Sequence, residues 1–164
     1  MKSDGSIRKY FFNLLVYSIY SSINELLGQK GMEIVWRTGE IAFAEVKSEL
    51  KIRKEDPIHV AEKVAEYLEK AGYGSKFTVK KTKDNEFIHE IHDGAARPAI
   101  LKMKKKYGDT AVFPHFSTSL MFAALKDVSN VKARIVHLAV APSEFGVTRE
   151  RWILSRIEVP DEER

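Results

Sequence analysis

The chain has 164 residues, of which 44% are hydrophobic and 30% charged, a profile that excludes disordered tails and collagen-like or low-complexity classes. It has no cysteine, which excludes disulfides, zinc ribbons, iron–sulfur clusters and thiol catalysis and fits a reducing, cytoplasmic setting. The net charge of +4 is unevenly spread: the window Lys76 to Lys106 holds nine basic and four acidic residues, an excess larger than that of the whole chain.

Lys2, Arg8 and Lys9 precede an uncharged run from Tyr10 to Asn24, an order that imitates a signal peptide. The run falls short of the roughly 20 apolar residues of a membrane span. Asn13, Ser18, Ser21 and Ser22 interrupt it and no Ala-x-Ala-like cleavage site follows, so a retained helix from Ser6 or Ile7 to about Gln29 is expected. Phe11, Leu14 and Tyr17 lie on one side of it, and Phe12, Val16 and Ile19 on another. A helix apolar on two sides is buried on two sides. A homodimer formed through Ile7–Leu27 is therefore expected.

A second helix is expected over Met32 to Leu50, with Val35, Gly39, Ala42, Phe43, Val46 and Leu50 at helical spacing. Gly39 inside it implies close approach of another backbone or room for a ligand. The third helix has clear punctuation, with Asp56 as N-cap, Pro57 at the first helical position and Gly72 just past the end. Val60, Val64, Leu68 and Ala71 form its buried stripe, and His59 sits on its surface. Two strands follow, Phe77 to Lys80 and Phe87 to His92, around a turn at Asp84–Asn85. Further helices open near Pro98 and near His115, and the chain closes with a hairpin of Val131–Ala141 and Arg149–Val159 around the turn Pro142–Gly146. Antiparallel pairs separated by helices define an α+β fold, with long N-terminal helices packed on an antiparallel sheet made of two separated hairpins. Absent repeats and linkers, residues 1–164 form a single domain.

Glycine-rich nucleotide loops, the nucleophile elbow and the His-Glu-x-x-His helix are all absent. His89-Glu90-Ile91-His92-Asp93 is the most metal-like stretch, but on a strand His89 points with Phe87 and Ile91 while His92 points the other way. Solvated edge-strand histidines are the expectation, and no metal is expected. His137, alternating with Val131 and Ile135, reads as a core histidine. His115 follows Pro114 at a helix N-terminus and reads either as a satisfied structural histidine or as a hydrogen-bond partner for a polar ligand group. The basic window has one arginine, Arg97, and its aromatics alternate inward, so it reads as a solvated lysine face rather than a nucleic-acid surface.

Three stretches carry a family resemblance. Gly31-Met32-Glu33-Ile34-Val35-Trp36-Arg37-Thr38-Gly39-Glu40 resembles the region where a glycine and a glutamate open the second long helix of the 4-vinyl reductase family. Asp56 to Gly74 is similar to that family's next unit, and Phe113 to Leu125 with the following hairpin to its closing unit. The resemblance, covering Ser6 to Val159, implies an α+β domain that is often dimeric through its N-terminal helices and shared in outline with TRAPP vesicle-tethering subunits. It implies small hydrophobic ligands, bound in sensing or in tetrapyrrole vinyl-group reduction. Many members carry cysteines around the final hairpin in places associated with metal binding, and this chain has none, so no metal ligand is carried over.

The function expected is therefore that of a cytoplasmic domain binding a small apolar molecule, without catalysis of its own and with no cofactor identified. Trp36, Phe43, Phe116, Leu120 and Met121 are expected to line the pocket, between the second helix and the helix after Pro114, with His115 as its polar group. The alternatives are a tetrapyrrole vinyl-reductase-type enzyme or accessory subunit, and a structural subunit of an assembly.

Overall fold

The computed structural model describes residues 9–53, 56–142 and 146–158. Ser6 to Arg8, the centre of the last turn and Val159 lie outside the described residues. The elements run α1 (Lys9–Leu27), a 3-10 turn (Gly28–Gly31), α2 (Met32–Leu50), α3 (Pro57–Lys70), β1 (Lys76–Lys83) and β2 (Glu86–His92). They continue with α4 (Arg97–Tyr107), α5 (Phe116–Ser129), β3 (Val131–Val140) and β4 (Val147–Arg156). The fold is α+β, and the sheet is antiparallel throughout, in the order β1-β2-β4-β3. The two hairpins, separate in sequence, join through β2 and β4.

Local chemistry accounts for the boundaries. The Asp56 carboxylate accepts the Ile58 N–H at 3.1 Å and caps α3, and Pro57 supplies the first turn. Asn130, with φ 53°, ends α5 in the left-handed conformation that Asn tolerates. Gly39 faces Ser119 of α5 so closely that an added Cβ would lie 2.3 Å from the Ser119 carbonyl carbon and oxygen. The glycine serves the α2–α5 crossing and leaves no room there for a ligand.

Alternation along the strands sends Phe77, Val79, Phe87, His89, Ile91, Thr148, Glu150, Trp152 and Leu154 to one buried face. Helices α3 and α5 cover that face, and α2 lies across α5. This main core includes Phe43, Val60, Val64, Leu68, Leu120, Met121, Leu125 and Trp152. In α3, Ala61 and Ala65 are buried, whereas Ala71, just past its end, is exposed. A second cluster joins α1 to α4 and the loop before α5, through Val16, Tyr20, Val35, Ala99, Met103, Val112 and Phe113.

The polar interruptions of α1 are cross-links. The Asn13 amide donates to the Ala95 carbonyl and accepts the Ala99 N–H, both at 3.0 Å. Asn24 donates to the Val112 carbonyl at 3.0 Å and accepts the N–H of the same residue at 2.8 Å. These bonds fix which side of α1 faces inward. Val16 belongs to that inner side at 5% exposure, while Ile19 is 56% exposed. The expected pairing of Val16 with Ile19 on one outer side is corrected accordingly. Among the described residues no helix is long and apolar enough to cross a membrane.

Two histidine expectations are also corrected. A register shift between Ile135 and His137 breaks the alternation of β3, so His137 turns outward and is exposed. Strand β2 pairs with both β1 and β4, so His89 lies on an inner strand and is fully buried rather than solvated.

Candidate functional site

Strand β4 places a carboxylate where its alternation calls for an apolar side chain. Glu150 lies between Thr148 and Trp152 on the inner face and is 1% exposed. An isolated charge there would be costly, and the surrounding residues answer with four donors. Thr118 Oγ1 donates to Oε2 at 2.7 Å and Trp152 Nε1 to the same oxygen at 2.8 Å. His89 Nδ1 lies 3.3 Å from Oε2, and His115 Nδ1 lies 3.1 Å from Oε1. Burial favours the neutral acid, but hydrogen bonds from His115 and His89 override it and hold the Glu150 carboxyl well below the usual carboxylate range.

An ionised carboxylate only accepts, so the hydrogen-bond network assigns a proton to Nδ1 of each imidazole. On a singly protonated ring, Nε2 is then the remaining acceptor. In His89 this atom is buried without a partner, and the ring lies 6.0 Å from Phe77 and 4.7 Å from Trp152. In His115 it is the nitrogen left for a ligand. The His115 ring stacks on Trp36 at 6.0 Å and 22°, and Trp36 stacks in turn on Phe122 at 5.4 Å.

His115 stands between two spaces. Outside is a groove of about 320 Å³ whose lining includes Met32, Trp36, Phe113, Ile135 and Leu138, with Gln29, Asp109, Thr110 and Arg134 as its polar part. A neighbouring recess of about 230 Å³ shares Trp36 and Ala133 with it and carries Glu40 and Lys126. Inside is a smaller cavity, with about 30 Å³ open to the centre of a water-sized molecule, lined by Tyr73, Arg97, Phe113, Thr148 and Glu150. The buried Arg97 donates to Thr148 Oγ1 at 2.9 Å and to the Ala141 carbonyl. Burial lowers its guanidinium pKa, and Asp93 partly offsets this. Burial, with Tyr20 and Glu150 adding to it, pushes the Tyr73 phenol far above its ordinary range, so it stays protonated.

Of the residues expected to form the site, Trp36 and His115 come together. Phe43, Leu120 and Met121 lie in the main core. Phe116 turns the other way, edge-on to Tyr20 at 5.7 Å and to Tyr73 at 6.3 Å. Sequence reasoning did not single out Glu150, Thr118, Trp152 or Phe122. The available signal was Glu150 sharing a strand face with Trp152 and Leu154. The basic window divides: Lys76, Lys80, Lys81 and Lys83 lie on β1 at one sheet edge, and Lys102 to Lys106 lie on α4 near the end of β3. Among the described residues no group of three or more His, Asp or Glu is placed to hold a metal ion. No family model matches the chain, and no curated protein matches it.

Proposed function

We propose that the protein is a small-molecule-binding or sensory domain that takes an apolar ligand with one hydrogen-bond donor in the groove beside Trp36. The observation that carries this reading is the line Trp36–His115–Glu150. An aromatic face lies beside an imidazole whose Nδ1 is committed to a buried carboxylate, which on a singly protonated ring leaves Nε2 to accept. The apolar part of the wall supplies affinity, and His115 offers an acceptor beside Trp36 for a hydroxyl or N–H. A divergent 4-vinyl reductase-type domain is part of the same proposal, supported by the order of elements and the α+β fold. A cytoplasmic setting is supported by the absence of cysteine. A homodimer completes it. Phe11, Leu15, Ile19 and Leu26 share one face of α1 and are 51%, 42%, 56% and 81% exposed, an apolar face suited to a second copy.

Thermal unfolding with matched ligand pairs tests the reading. Phenol or indole is expected to stabilise the fold by roughly 2.7 kcal/mol at 100 times its dissociation constant, and anisole by much less. His115→Ala should abolish the difference between phenol and anisole, and Trp36→Ala should weaken both. Absence of stabilisation by any apolar ligand would favour a structural subunit instead.

A further inference from the structure

Helices α1 and α4 enclose a second, larger groove of about 720 Å³, within the usual size range of small-molecule sites. Its walls are Tyr10, Leu14 and Tyr17 of α1, Leu101 of α4, and Val140 at the end of β3. Lys102, Lys104 and Lys105 project from α4 along it, and among the described residues no carboxylate lines it. Lys104 is paired with Asp109 at 3.0 Å, and Lys102 Nζ rests 4.0 Å from the Tyr17 ring centroid. Neither Lys102 nor Lys105 has an acidic partner among the described residues. The Asn13 amide, also in the lining, is spent on the Lys9 and Ala95 carbonyls and the Ala99 N–H.

The polar atoms left to a ligand are thus ammonium groups and tyrosine hydroxyls beside an aliphatic and aromatic wall. We propose that this groove binds a single-chain anionic amphiphile, with its carboxylate or phosphate head at Lys102 and Lys105 and its hydrocarbon along Leu14, Tyr10 and Leu101. Charge complementarity selects the head, and the concave wall fits a separate molecule better than the plane of a bilayer. The groove is distinct from the Trp36–His115 groove, and its face of α1 differs from the one carrying Phe11, Leu15 and Ile19.

Calorimetry and amide NMR on the full chain, with decyl phosphate and decanoate below their micelle concentrations, test this proposal. Both anions are expected to bind and to shift amides of residues 10–17 and 99–105. Decanol and decyltrimethylammonium should bind far more weakly. The double variant K102E/K105E, changed only at exposed positions, should weaken decyl phosphate roughly tenfold or more, because each reversal replaces attraction with repulsion. Circular dichroism of the variant checks that it remains folded. Equal binding of the neutral or cationic chain, no effect of charge reversal, shifts centred on Trp36 and His115, or no binding would each overturn the proposal. So would binding to anionic vesicles without binding to monomeric amphiphile, which would assign the face to a membrane surface.

Discussion

Replacing Glu150 with alanine is expected to destabilise the protein by about 3–5 kcal/mol, the range for removing one member of a buried charged network. The substitution removes an acceptor for four groups at once: the imidazoles of His89 and His115, the Thr118 hydroxyl and the Trp152 indole. The His89, Thr118 and Trp152 donors then stay buried and unmet. Glu150→Gln keeps one oxygen and should cost less. The charge also has a pH signature. The folded-state pKa is depressed, so the unfolded chain takes up the proton first in acid. The stabilisation from Glu150 is therefore complete above the unfolded value of about 4.3 and is lost as pH falls toward the folded value. Urea unfolding from neutral pH into acid should show a steeper loss for the wild type than for Glu150→Gln. Parallel curves, or an alanine variant within about 1 kcal/mol of the wild type, would mean that the carboxylate is not the anchor described.

Two aspartates introduced three residues apart on α1 should behave in opposite ways. Val16 is packed in the second cluster at 5% exposure, so Val16→Asp buries an unpaired carboxylate and should lower monomer stability by about 3 kcal/mol or more. Ile19 is 56% exposed, and Ile19→Asp should change monomer stability by no more than about 0.5 kcal/mol while dissociating the proposed homodimer. Sedimentation of each variant beside the wild type separates the two effects. Wild-type protein sedimenting as a monomer at tens of micromolar would show that the outer face of α1 has another use.

The parts of the fold legible in the sequence are those encoded locally. Helix α2 runs from Met32 to Leu50 as its periodicity implies, and Asp56-Pro57 opens α3 because cap and first turn are written in adjacent residues. Both hairpins could be read from alternation and turn residues. The pairing of β2 with β4 could not, since it joins segments about sixty residues apart, and with it went the burial of His89. The face of His89 was legible, whereas its position in the sheet was not. The outward turn of His137 depends on a bulge that leaves no mark in the residue pattern. Glu150 stayed hidden because its donors come from β2, from the residue before α5, from α5 and from its own strand. A charged residue flanked by Arg149 and Arg151 looks solvated until those elements are brought together. Trp36 and His115 were legible as individual residues, and the carboxylate that sets the proton on His115 required the tertiary structure.

Long-range nitrogen–proton NMR of the imidazole rings tests the Trp36–His115–Glu150 site most directly. His115 is expected as the Nδ1–H tautomer, with an Nε2 signal that moves on addition of phenol, stays in place with anisole, and loses the response in Glu150→Gln. A proton on Nε2 of His115 in the free protein, or a phenol response confined to the exposed rings of His59 and His137, would contradict the site.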